Sequence, residues 1–130
     1  MEIPITLDWV RELSLCSISQ VFKQLYLDVK EDVEAINGAK GLTAHNCFDA
    51  VENSAGSVFT VFQRNAGVEH EVTFRRGDGE IRVDRKNGPS FTITLTLNNE
   101  GRCKLRVNDE ELEQWQVRKM ALEDLFFGTN

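Results

Sequence analysis

The chain has 130 residues, 41% of them hydrophobic, with 21 acidic against 15 basic side chains and a net charge of −6. Length and apolar content suit a single domain spanning residues 1–130 and exclude a disordered chain. The acidic balance argues against a general nucleic-acid binder, and neither a membrane-spanning apolar run nor a secretory signal is found.

A short helix is expected to open near Thr6 or Asp8 and to carry Trp9, Val10 and Leu13. Ser17 and Gln20 then have capping-box spacing, the hydroxyl taking one orphan N–H and the amide returning to the cap. Behind them Ile18, Val21, Phe22, Leu25, Val29, Val33 and Ile36 recur mostly at steps of three and four. That stripe predicts an amphipathic helix of about five turns, ended by Gly38. Lys40 between Gly38 and Gly41 is a weak match to a phosphate cradle and reads better as a helix cap and loop. A brief third helix is expected next, with Cys47, Phe48 and Val51 inward, broken at Ser54-Ala55-Gly56.

From Ser57 the hydrophobic period becomes two. Val68, His70, Val72 and Phe74 share one parity, as do Ile81 and Val83, then Phe91, Ile93, Leu95 and Leu97, then Cys103, Leu105 and Val107. Gly77-Asp78-Gly79, Asn87-Gly88-Pro89 and Asn98-Asn99-Glu100-Gly101 punctuate these runs as hairpin turns. The strand before them, Ser57 to Gln63, differs: Val58 and Phe62 lie on one face, Phe59 and Val61 on the other. A strand apolar on both faces is usually covered on both sides. Val58, Phe59, Val61 and Phe62 are therefore the candidate self-association residues, and a homodimer built on this strand is expected.

In the tail, Asn108 and Glu111 repeat the capping-box spacing, predicting a helix with Leu112, Trp115, Leu122 and Phe126 inward and Met120 and Phe127 at the edge. For residues 112–119 a sixth strand competes, because Trp115 and Val117 alternate with Gln114 and Gln116. The expected fold is α+β: N-terminal helices packed on one face of a five-stranded antiparallel meander, closed by a C-terminal helix.

No sequence motif for a nucleotide, a metalloprotease zinc or a serine nucleophile is present. Cys16, Cys47 and Cys103 are few and far apart, which reads as three reduced thiols in a cytoplasmic protein, and they assemble no zinc ligand set. His45-Asn46-Cys47 holds the residue types of a cysteine nucleophile, but adjacent positions point apart, and His70 on the inward parity reads as a core histidine. No catalytic residue, cofactor or metal is assigned.

Residues 1–56, 57–107 and 108–130 carry charges of −5, +3 and −4. The basic middle segment places Arg75, Arg82, Thr92, Thr94, Lys104 and Arg106 on outer strand positions, making a candidate docking face. Cross-strand pairing with Glu69, Glu71, Glu80 and Asp84 is its plainer explanation. The outer positions of the four regular strands carry no aromatic to stack a base, which removes single-stranded RNA. The expected function is that of a small acidic, non-enzymatic interaction module (adaptor, inhibitor or chaperone-like) with a protein partner and no nucleic acid or membrane. The alternative is a small-molecule binder or enzyme with a pocket between sheet and helices. Inward polar groups are limited to His70 and Cys103, which favours the first.

Overall fold

A computed structural model describes residues 9–67, 70–86 and 88–128. Among them, α1 (Trp9–Leu15) and α2 (Ile18–Lys40) precede seven strands, β1 (Phe48–Glu52), β2 (Val58–Gln63), β3 (Glu71–Arg76), β4 (Ile81–Arg85), β5 (Phe91–Leu97), β6 (Cys103–Val107) and β7 (Glu110–Leu112). Helix α3 (Gln114–Phe127) follows. Each strand pairs antiparallel with the next in chain order. The α+β class, the antiparallel meander and the C-terminal helix are therefore present, with seven strands where five are expected. The expected helix start at Thr6 or Asp8, Val68 of the third strand and Asn87 of a turn lie outside the described residues.

Both extra strands have local causes. From the last turn of α2, the Asn37 side chain accepts from the Phe48 N–H at 2.8 Å and donates to the Phe48 carbonyl at 2.9 Å. This clamp satisfies both backbone groups of Phe48 from outside, so the expected third helix around Cys47, Phe48 and Val51 gives way to β1. Asn53 then accepts from the N–H groups of Ser57 and Val58, with Gly56 at φ 67°, and Ser54-Ala55-Gly56 is a hairpin turn instead of a helix break. At the other end Asn108 and Asp109 take φ 53° and 64° and pair Val107 with Glu110. A two-residue turn with two left-handed residues is the favoured hairpin connection. Asn108 is thus a turn residue and not a helix cap, and Leu112 ends β7. Helix α3 begins two residues later, where Gln116 Oε1 accepts from the Glu113 N–H at 2.8 Å. Residues 112–119 divide between the two expected states.

Helix α2 begins as expected, the Ser17 hydroxyl accepting from the Gln20 N–H. It runs through Gly38 and stops at Gly41, whose φ of 61° and bonds to Asn37 and Gly38 carbonyls close the last turn. Its stripe of Phe22, Leu25, Val29, Val33 and Ile36 is buried against the inner face of the sheet. Phe59 sits at the centre of that layer, its ring 5.1 Å from Phe22, 5.0 Å from Tyr26 and 4.4 Å from Phe74. Val117, Ala121, Leu122 and Phe126 of α3 join the same core, with Phe126 edge-on to Phe48. Two helices thus cover the inner face, and α1 is not one of them: Trp9 is 65% exposed, and Val10 and Leu13 are exposed beside it.

Two expectations are overturned by this packing. Phe59 and Val61 are completely buried, so they belong to the core and not to a self-association surface. Val58 and Phe62, on the opposite face, are half-buried. Cys16 and Cys103 are not free thiols; they form a disulfide with Cα atoms 5.4 Å apart, joining the α1–α2 corner to β6 across 87 residues of sequence. Cys47 is free. The disulfide removes the cysteine-based argument for a reducing cytoplasm. No helix among the described residues is long and apolar enough to cross a membrane.

Candidate functional site

Residues of α2 and α3 line an apolar groove between the two helices. Its floor is Ala35, Ile36 and Ala39 of α2 with Leu122 and Phe126 of α3, and its volume is about 930 Å³. Ala35 and Ala39 are one turn apart, and having no side chain beyond Cβ they leave the floor open. Trp115 and Phe127, 56% and 66% exposed, stand on α3 along the groove. Two large aromatics in water beside a continuous apolar floor form the kind of patch that marks a binding surface.

The groove is held in shape from below. Arg118 reaches both carboxylate oxygens of Asp32 at 2.6 and 2.7 Å while its Nε donates to Gln114, and Gln114 donates to Asp28 at 2.8 Å. Lys40 donates to the Phe126 carbonyl at the last turn of α3, with its ammonium over the Phe127 ring. Lys119 pairs with Glu123 one turn on. The helices are therefore clasped at both ends of the groove, and its wall charges already have partners.

The residues of the candidate docking face lie on neighbouring strands. Arg75, Arg82 and Thr92 stand side by side across β3, β4 and β5, and Thr94 faces Arg106 across β5 and β6. Its cations have partners within the chain. Asp84 takes Arg82 at 3.0 Å and Arg75 at 3.6 Å, and accepts from Ser90 at 2.9 Å. Burial pushes the Asp84 carboxyl up, but these hydrogen bonds and the two guanidinium charges outweigh it and hold the group below the usual aspartate value. Lys104 donates to Glu113 at 2.8 Å, which raises its pKa against the opposing effect of burial, and Arg106 donates to the Asp109 carbonyl.

His70 lies just before β3 and is exposed, contrary to the core position expected of it. It lines a second cavity of about 420 Å³ between the sheet and the end of α3, where Phe48, Val72 and Leu125 form apolar wall and Lys40, Arg85 and Lys86 approach from the sides. Arg85 is committed there to the Pro89 and Met120 carbonyls. His45, Asn46 and Cys47 form no triad: the Asn46 carboxamide oxygen accepts from Thr43 and closes a turn, and His45 is exposed. Among the described residues no group of three or more His, Cys, Asp or Glu could hold a metal ion.

Periodicity places Ile36, Leu122 and Phe126 inward but also assigns Trp115 to the core, and it gives no role to Ala35 and Ala39. A usable signal was present. From Trp115 to Phe127 the tail has more large apolar side chains than one helix face can bury, so some must stand in water. Comparison with protein-family models, with curated proteins and with solved structures finds no match.

Proposed function

We propose that this chain is a non-enzymatic protein-interaction module that holds an amphipathic helical segment in the groove between α2 and α3. The observation that carries this reading is the exposure of Trp115 and Phe127 beside an apolar floor of Ala35, Ile36, Ala39, Leu122 and Phe126. The groove is walled by helices and offers side chains without a free strand edge. An extended peptide would leave its N–H and C=O groups without partners there, whereas a helix satisfies its own. The occupant needs apolar side chains at i, i+3 or i+4, and i+7, with little charge on that face, since the wall charges are already paired. Adaptors, inhibitors and chaperones all act by holding such a segment.

A synthetic amphipathic helix with leucines at those positions is the probe. In a Trp9→Phe background, binding should shift the Trp115 emission to the blue and saturate. Ala39→Glu, which puts a carboxylate on the floor, should weaken that binding at least about tenfold, equivalent to about 1.4 kcal/mol. No saturation at millimolar probe, or indifference to Ala39→Glu, removes the groove from the account.

A small-molecule binder is the second reading, and the cavity lined by His70 favours it: its apolar wall of Phe48, Val72 and Leu125, rimmed by charges of both signs from Lys86, Glu71 and Asp124, suits a small amphipathic ligand. Thermal denaturation with a medium-chain fatty acid tests it. An unshifted midpoint at millimolar ligand excludes that ligand class.

A further inference from the structure

Two exposed apolar surfaces stand out among the described residues, and they are complementary in kind. One is the α2–α3 groove. The other is α1, where Trp9, Val10 and Leu13 fall within about a 100° arc at 100° per residue, all three exposed.

We propose that the occupant of the groove is α1 of a second copy of this chain, exchanged reciprocally to form a homodimer; this rests on the helix-in-groove reading above. Size agrees first. Seven helical residues span about 10 Å and the groove floor from Asp32 to Lys40 about 12 Å, at 1.5 Å per residue. Charge does not oppose this, since Asp32, Arg118, Lys119 and Glu123 on the groove walls are paired within the chain.

Within one chain α1 is out of reach of the groove. The Cys16–Cys103 disulfide holds the end of α1 on β6, and Trp9 lies only about 10 Å of helix from Cys16. The groove opens at Asp32, about 22 Å along α2 from Ser17. A second copy has no such restriction. Under a two-fold axis both helices enter both grooves, so the assembly closes instead of growing. Trp9, Trp115 and Phe127 from each copy, at roughly 150–250 Å² per aromatic and already partly covered, bring the buried area to the order of 1,000 Å² with their aliphatic neighbours. That is the lower bound for a specific interface, so the dimer is reversible.

Sedimentation of the full chain from about 5 to about 500 µM, a range bracketing the affinity of a small interface, tests this. Wild type should show a reversible monomer–dimer equilibrium. A Trp9→Ala, Leu13→Ala double variant, with an intact groove, and Ala39→Glu, with an intact helix, change only exposed residues, and each should weaken dimerisation at least about tenfold. An equimolar mixture of the two restores one helix–groove contact and should associate more than either alone. A wild-type monomer throughout the range overturns the proposal, as does a dimer that neither variant weakens or a mixture no more associated than its parts. A wild-type monomer that still binds the helical probe overturns the exchange alone; one that fails with both overturns the groove reading beneath it.

Discussion

Ile93 and Thr94 are neighbours in β5, yet Ile93 is fully buried against the helices while Thr94 stands exposed opposite Arg106. The pleat alone separates them, because successive strand side chains point to opposite faces. Ile93→Ala should cost about 2–5 kcal/mol in urea denaturation, through lost transfer energy and the cavity left behind. Thr94→Ala should stay within about 0.5 kcal/mol. Leu95 is only half-buried and should fall between them. The reverse ranking would mean a one-residue slip of β5, which would turn its whole apolar set outward. Parity along a strand assigns Ile93 and Thr94 correctly from sequence alone. It fails for His70, because the strand begins one residue after it.

At the scale of elements, the contact that positions the groove is the join between α2 and α3. Asp32 and Arg118 are 86 residues apart in sequence and meet at 2.6 Å, with side chains 32% and 20% exposed. A charge pair in which one guanidinium nitrogen meets both carboxylate oxygens, and which is only partly solvated, is worth more than the usual surface salt bridge and less than a buried one. Asp32→Asn should lower stability by about 1–2 kcal/mol, read from the urea midpoint, with a smaller loss in high salt, where the native pair is itself screened. An unchanged midpoint would show that apolar packing of Val117, Leu122 and Phe126 alone seats α3.

For the whole molecule, the disulfide is the longest-range constraint. Reducing Cys16–Cys103 frees an 87-residue separation in the unfolded chain, and loop-closure entropy sets the loss at up to about 4–5 kcal/mol. Urea unfolding with and without dithiothreitol should therefore show a clear drop in midpoint, matched by Cys103→Ser without reductant. Cys47→Ser should change little, since Cys47 is a free, half-buried thiol just before β1. Equal midpoints with and without reductant would show that α1 and β6 are held together by packing alone. The same bond keeps α1 attached to the body while its apolar face stays in water.

Periodicity and turn chemistry determined the α+β class, the amphipathic face of α2 with its Ser17 cap, and the inward placing of Val72, Phe74, Ile81, Val83, Phe91, Ile93, Leu105 and Val107, though not of Leu97, which is exposed at the end of β5. Each of these depends on residues within one or two turns of each other, and local geometry settles them. Tertiary structure decided what depends on distant partners. Asn37, eleven residues before Phe48, made β1 a strand where short-range pattern suggested a helix. The α2 and α3 layers made Phe59 and Val61 core and left Val58 and Phe62 on the other face. Cys16 met Cys103, and Ala35 and Ala39 met Leu122 and Phe126 across a groove. Spacing along a chain does not encode which distant side chains share a neighbourhood; only closing the meander over its helices brings them together.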